Sequence, residues 1–215
     1  MKIIDNFLND TQIQELKNVW DQYKDRSYIN WETDDGYIDR RLTISDQTLN
    51  KECDDIYNNI LKLVKEEFPN CIDSWFALQE QRVPHNIHID DYGSDTNGKR
   101  YTYIIALDSV PEFKAIAWKE TAWDNNKLHE FVQQWGKLRP YKKKKSNISE
   151  VEDLEHTIDK NNNSYMCDYL ELDGIFEYKK GSACLFDATQ LHCSSNWVKY
   201  PQHKTRQLLQ IHVLT

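Results

Sequence analysis

No stretch of this sequence approaches the ~20 consecutive apolar residues that a membrane-spanning helix requires. The opening residues, MKIIDNFLNDT, carry Asp5 and Asp10 and contain no apolar run of signal length. These absences lead to the expectation of a soluble, cytoplasmic protein. A basic surplus is also missing: 27 Lys and Arg face 35 Asp and Glu, for a net charge of −8. A general nucleic-acid binder needs a basic face, so that class is excluded as a first reading, although a local basic patch stays open. There is no Cys-x-x-Cys pair, and the five cysteines (Cys53, Cys71, Cys167, Cys184 and Cys193) are odd in number and scattered. That spacing excludes a zinc ribbon and a disulfide scaffold. All five are expected reduced, with Cys184 buried in an apolar run. No internal repeat is visible.

What is present describes a globular chain. Hydrophobic residues make up 39% and aromatics 12%, including seven Trp and twelve Tyr, enough for a core despite 29% charged residues. A length of 215 residues fits a single domain spanning 1–215. "MKIIDNFL" reads as a short opening strand. "NDTQIQELKNVWDQY" has helical periodicity, with Ile13, Leu16, Val19 and Trp20 on one face and Asn9 to Thr11 supplying cap chemistry. "KECDDIYNNILKLVKEEF" repeats the pattern through Ile56, Ile60, Leu63 and Val64. Between these helices "INWETDDGYIDRRLTI" reads as strand and turn.

The pattern then becomes mostly β. "SWFALQEQRV" alternates, "RYTYIIALDSV" is rich in strand formers, and "AIAW" is a further strand candidate. "YLELDGIFEYKKGSACLFD" reads as two strands around a Lys-Lys-Gly turn, and "TRQLLQIHVLT" as a final strand. A polar insertion at about 119–164 separates these blocks, with a short helix candidate in "NNKLHEFVQQWGKL" and a solvated run at Lys142 to Lys145. Trp118, Trp123 and Trp135 near its start fit a lid, a docking surface or staples to the core.

The chemistry concentrates in "VPHNIHIDDYG", Val83 to Gly93. On a strand, residues i and i+2 share a side, so His88 and Asp90 project together while Ile87 and Ile89 pack opposite. His85 and Asp91 point away from that pair. An imidazole and a carboxylate form a nitrogen and oxygen ligand set suited to Fe(II) and similar divalent ions rather than to a sulfur-loving metal. Two ligands need a distant partner, and "KKGSACLFDATQLHCSSN" supplies His192 after an apolar strand. "HKTRQLLQIHVLT" then places Arg206 at the start of the last strand.

The ordered set His-x-Asp, Gly-led strand, His, strand-borne Arg resembles the Fe(II)- and 2-oxoglutarate-dependent oxygenases, in their prolyl-4-hydroxylase-like branch. "MKIIDNFLNDTQIQEL" looks like the opening strand and helix of such domains. "HIDDYGSDTNGKRYTYIIALD" is similar to their His-x-Asp segment and the following strand. "KKGSACLFDATQLH" and "TRQLLQIHV" resemble their distal-His and basic-residue strands. The resemblance covers most of the chain outside Lys119–Ser164.

The resemblance implies a mainly β (α+β) double-stranded β-helix, or jelly roll, with the N-terminal helices packed on one sheet. It implies a facial metal set of His88, Asp90 and His192, which leaves three positions open: two for 2-oxoglutarate and one for O2. Arg206 is implied as the bidentate partner of the cosubstrate's far carboxylate, with Lys204 as the alternative. Thr102 and Ile104 would line the cosubstrate pocket, and Tyr103 would face the other layer. His212 shares the parity of Arg206 and reads as a residue behind the metal or as a core histidine. His129, His156 and His203 read as surface residues, and His85 and Asp91 as flanking the metal pair. The implied reaction converts 2-oxoglutarate to succinate and CO2 while hydroxylating a substrate. A prolyl or other peptidyl residue is one class, with a small molecule as the other. The alternative is a cupin-like metal-binding β-domain without oxygenase activity, although cupins use His-x-His and a following Glu. A domain that kept the fold and lost the chemistry is the third reading.

Overall fold

The structure, a computed structural model, describes residues 1–32, 38–44, 51–82, 85, 88–90, 98–119, 172–195 and 205–215. The insertion beyond Lys119, with Trp123, Trp135, His129, His156 and the lysine run, lies outside the described residues. So do Asp91, Cys167, His203 and Lys204.

Among the described residues two α-helices lie in the first third of the chain. Helix α1 (Asp10–Tyr23) starts at Asn9, whose Oδ1 accepts from the Gln12 amide at 2.9 Å. The Gln12 side chain returns the bond to the Asn9 amide, also at 2.9 Å, so two of the helix's orphan donors are satisfied reciprocally. Ile13, Leu16, Val19 and Trp20 are its buried face, as the periodicity predicts. Helix α2 (Lys51–Glu67) buries Cys53, Ile60 and Val64. Each fully buried aliphatic chain here stabilises the fold by roughly 1.5–3 kcal/mol relative to exposure.

Among the described residues there are ten strands, of which β9 was not among the strand candidates of the sequence: β1 (Lys2–Ile4), β2 (Tyr28–Glu32), β3 (Ile38–Thr43), β4 (Asp73–Gln81), β5 (Arg100–Ala106), β6 (Val110–Trp118), β7 (Leu172–Tyr178), β8 (Ala183–Asp187), β9 (His192–Ser194) and β10 (Arg206–Leu214). Seven form one sheet in the order β1-β8-β5-β10-β4-β3-β2, and the other three form a second, β7-β6-β9. Their pairings are antiparallel. The architecture is mainly β, two facing sheets of a jelly roll, with helices on one side.

Alternation divides the large sheet into two faces. Tyr103, Ile105, Leu209, Ile211 and Val213 pack with α1 and α2 on the outer face. Ile104, Ala106, Cys184, Phe186 and Leu208 meet Phe113, Ala115, Phe176 and Tyr178 of the small sheet on the inner face. Register fixes which residues share a level of the inner wall. Arg206 lies opposite Gln81, and His212 opposite both Trp75 and Thr102. A slip of one residue would send this whole polar set to the helix side.

The two strands around the Lys-Lys-Gly turn do not form a hairpin. β7 belongs to the small sheet and β8 to the large one, so the turn is a crossover between layers. Trp118, read as part of a lid or staple, is fully buried at the end of β6 and belongs to the core. Cys53, Cys71, Cys184 and Cys193 form no disulfide among the described residues, and burial pushes the Cys184 thiol up to about 12. Among the described residues no helix is long and apolar enough to cross a membrane.

Candidate metal centre

A tight turn after β8 brings the distal histidine into place. The Asp187 carboxylate accepts from the Thr189 amide at 2.9 Å and its hydroxyl at 2.6 Å, which is an Asx-type turn. The Asp90 amide donates to the Ala188 carbonyl at 2.9 Å, pinning the His-x-Asp segment to that turn. His88 and His192 form an antiparallel bridge and exchange both backbone hydrogen bonds, at 2.9 and 3.0 Å. Side chains of such a pair emerge on the same side, and their rings stand 4.2 Å apart between centroids.

Three donor atoms converge there. Asp90 Oδ1 lies 3.5 Å from His88 Nε2 and 3.6 Å from His192 Nε2. The three donors lie within 4.8 Å of one another, the only such group among the described residues. His192 Nδ1 donates to the Gln190 carbonyl at 2.9 Å, which selects the tautomer with a lone pair on Nε2. Burial lowers His192 to about 4. Burial would raise the Asp90 carboxyl, but the imidazoles of His192 and His88 outweigh it and hold it well below the usual range. At neutral pH His192 is thus a neutral imidazole beside the ionised Asp90 carboxylate, the states in which these groups ligate metal.

The rest of the inner wall supports this cluster. Gln210 Nε2 donates to Asp90 Oδ2 at 3.4 Å, leaving Oδ1 for the histidine side. An ionised carboxylate accepts only donors, so Gln210 must turn its nitrogen to Asp90 and its oxygen away. That oxygen takes hydrogen bonds from Gln79 and, at 3.1 Å, from Arg41 Nη2. Gln81 continues the chain with a 2.6 Å bond to Gln79. At its far end Arg206, 3% exposed, donates from Nε to Gln81 Oε1 at 2.7 Å and from Nη2 to Ser194 Oγ at 3.0 Å. Its guanidinium lies over the Tyr178 ring, 4.5 Å from the centroid.

No family model and no curated protein matches the sequence. Solved structures match its fold. One is the non-heme alpha-ketoglutarate-dependent epimerase SnoN from nogalamycin biosynthesis: 11% identity and a TM-score of 0.61, covering 99% of this chain and 77% of that one. The carbocyclase SnoK of the same biosynthesis follows at 10% and 0.61, covering 99% and 78%. A prolyl-4-hydroxylase of Pseudomonas putida matches at 9% and 0.55, covering 99% of this chain and 91% of that one. The chain has the fold of the 2-oxoglutarate-dependent oxygenases.

Within that oxygenase fold, the structure gathers His88, Asp90 and His192 into one cluster and sets Arg206 on the same inner wall. Ile104 faces the space between the sheets, and Tyr103 faces the helices. Thr102 is fully buried, with its hydroxyl 3.2 Å from His212 Nδ1. His212 is neither deep in the core nor remote: it is partly exposed and lies beside Trp75, with ring centroids 5.2 Å apart. Lys204 lies outside the described residues.

Two expectations about the His-x-Asp segment change. The described residues there show a single bridge rather than a strand. His85 does not point away: its ring lies 5.7 Å from that of His88, and its Nε2 lies 3.1 Å from Asp39 Oδ2. The reason is register. The Ser194 amide donates to the His85 carbonyl at 3.0 Å, so three steps of chain from His85 to His88 face two from Ser194 to His192. One extra residue reverses the parity, as a bulge does. Sequence reasoning also missed Tyr178, Asp39 and the three glutamines. For Gln79 and Gln81 a signal existed, because alternation in "FALQEQR" puts both on one face.

Proposed function

We propose that this chain is an Fe(II)- and 2-oxoglutarate-dependent dioxygenase that hydroxylates a bound substrate. The observation that carries the reading is the convergence of two imidazole nitrogens and one carboxylate oxygen in His88, Asp90 and His192. Two histidines and a carboxylate on one side of an ion are the facial set used by non-heme Fe(II) oxygenases. A test of fit for 2-oxoglutarate comes from Tyr178. Its buried hydroxyl lies against the Arg206 guanidinium, which can only donate to it, and among the described residues nothing accepts its proton. A hydroxyl left so is costly, and a carboxylate held by Arg206 would accept from it.

His88, Asp90 and His192 would hold the iron, while Arg206 and Tyr178 would take the far carboxylate of 2-oxoglutarate. Ile104 and Leu208 would line the passage between them, and Thr102 would keep His212 in place behind it. Bound there with O2, Fe(II) and 2-oxoglutarate would supply the oxidant, one oxygen atom entering succinate as CO2 leaves and the other a substrate C–H bond. The protein's part is placement. Gln190 and Gln210 orient two of the three ligands, and the apolar residues between the sheets exclude water. Similar folds serve an epimerase and a carbocyclase as well as a prolyl hydroxylase. Hydroxylation of a prolyl or other peptidyl residue is therefore the outcome proposed from the sequence likeness. The test is anaerobic titration with Fe(II) and 2-oxoglutarate, read by the visible absorption band of the complex, followed by oxygen and measurement of succinate. Absence of both band and succinate removes the reading.

A further inference from the structure

Beyond the triad and Arg206, a second cation stands on the inner wall. Arg41 of β3 lies in register with Gln79 and turns its guanidinium across β4. Its Cζ lies 5.2 Å from the centroid of the Trp75 ring, and its Nη2 donates to Gln210 Oε1 at 3.1 Å. Gln210 in turn donates to Asp90. One side-chain amide therefore separates Arg41 from a candidate metal ligand. Arg41, Trp75 and His212 are each only partly buried, whereas Arg206 is 3% exposed. These three form an accessible border of the metal cluster on the side away from Arg206.

Among the described residues the Arg41 guanidinium meets the Trp75 ring and the side-chain amides of Gln210 and Gln79, all of them uncharged groups. The Gln210 carbonyl already accepts from Gln79, so a neutral donor would complete that network. No ion pair among the described residues uses Arg41, in a chain whose net charge is −8. A guanidinium stacked on an indole is held in one orientation, with donors that suit a planar or tetrahedral oxyanion. We propose that Arg41 is the cation of a substrate subsite, and that the substrate carries a carboxylate or phosphate group near the C–H bond presented to the metal. Trp75 and Gln210 are its positioning residues. This inference rests on the oxygenase reading for the identity of the neighbouring metal, and names the chemical class of substrate for that site.

The test loads the full chain with Mn(II) in place of Fe(II), adds 2-oxoglutarate, and titrates benzoate, phenyl phosphate and neutral benzyl alcohol. Ring-proton relaxation reads binding near the metal. The two anions are expected to relax and benzyl alcohol is not, and the stronger of the anions tells carboxylate from phosphate. Arg41→Gln is expected to weaken anion binding about ten- to a hundredfold, the scale of a charge-assisted contact. Arg41→Lys should fall between, and Arg40→Gln, which removes the same charge from the opposite face of β3, should bind as the wild type does. Manganese and 2-oxoglutarate affinities should stay unchanged in all three. Wild-type anion binding by Arg41→Gln overturns the proposal, as does equal binding of benzyl alcohol. So does loss of 2-oxoglutarate affinity in Arg41→Gln, which would make Arg41 the cosubstrate's cation. Failure to take up Mn(II) counts against the oxygenase reading alone. Saturation-transfer measurements on the metal-free protein then decide Arg41 by the same variants.

Discussion

The side-chain amide of Gln210 donates to the outer carboxylate oxygen of Asp90 across 3.4 Å, from the strand next to the one that carries Thr102 and Ile104. A ligand carboxylate is oriented by what holds its second oxygen. Gln210→Leu keeps the volume and removes the donor. Metal affinity should fall by about tenfold or more, the usual range for partners behind a ligand, while the protein stays folded. Competition titration with a metal-sensitive dye measures it, and unchanged affinity would show that Asp90 needs no such support.

Alanine at each of His88, Asp90 and His192 should abolish the absorption band of the Fe(II) and 2-oxoglutarate complex. Arg206→Ala should behave differently. It should leave metal binding intact and weaken 2-oxoglutarate by about a hundredfold, because a buried bidentate cation is lost. Equilibrium dialysis with each ligand separates the two effects. If Lys204→Ala lowers 2-oxoglutarate affinity and Arg206→Ala does not, the cation has been assigned to the wrong residue.

His85 marks where periodicity stops being informative. Alternation reads a strand correctly only while the register is unbroken, and one extra residue opposite Ser194 reversed its side. Where the pattern is local and uninterrupted, sequence reading succeeds: the cap chemistry that begins at Asn9 and the four buried residues of α1 are legible from spacing alone. The crossover between β7 and β8 was not, because a turn sequence does not say which sheet each strand joins. Tyr178 stayed hidden for a related reason. Its meeting with Arg206 is a contact between two sheets that no local pattern encodes. Gln79 and Gln81 share a visible face, but polar residues on alternate positions ordinarily signal the solvent side. Here they face inward, because that wall carries the polar cluster.

Acid should destabilise the metal-free protein through His192. Its folded value, lowered by burial to about 4, lies below the ordinary 6.5 of the unfolded chain. Between those values the unfolded state binds more protons, so stability rises with pH through that window and is fully present above it. Lowering the pH from 7 to 4 should cost on the order of 3 kcal/mol from this group. Asp90 acts in the same direction at lower pH, since its depressed carboxyl contributes stability that is lost as pH falls through its folded value. Urea unfolding at a series of pH values reads the slope. His192→Gln should flatten it between 4 and 6.5, and an unchanged slope would place the acid sensitivity elsewhere.

Gly181 tests the crossover itself. Its φ is +80°, and a Cβ built there would stand 2.5 Å from the Leu8 carbonyl oxygen. The same residue ties three segments together: its amide donates to the Ala106 carbonyl at 2.8 Å, and its own carbonyl accepts from Leu8 at 3.0 Å. Gly181→Ala therefore meets both backbone strain and a clash with main chain that cannot swing aside. The strain alone costs about 1–3 kcal/mol, a fall in Tm of roughly 2–12 °C for a chain of this size. Lys180→Ala, one residue earlier on an exposed side chain, should stay within about 0.5 kcal/mol of the wild type. Calorimetry of the pair decides it. Equal melting temperatures would mean that the turn is not held to Leu8 and Ala106, and that the two sheets are joined there in some other way.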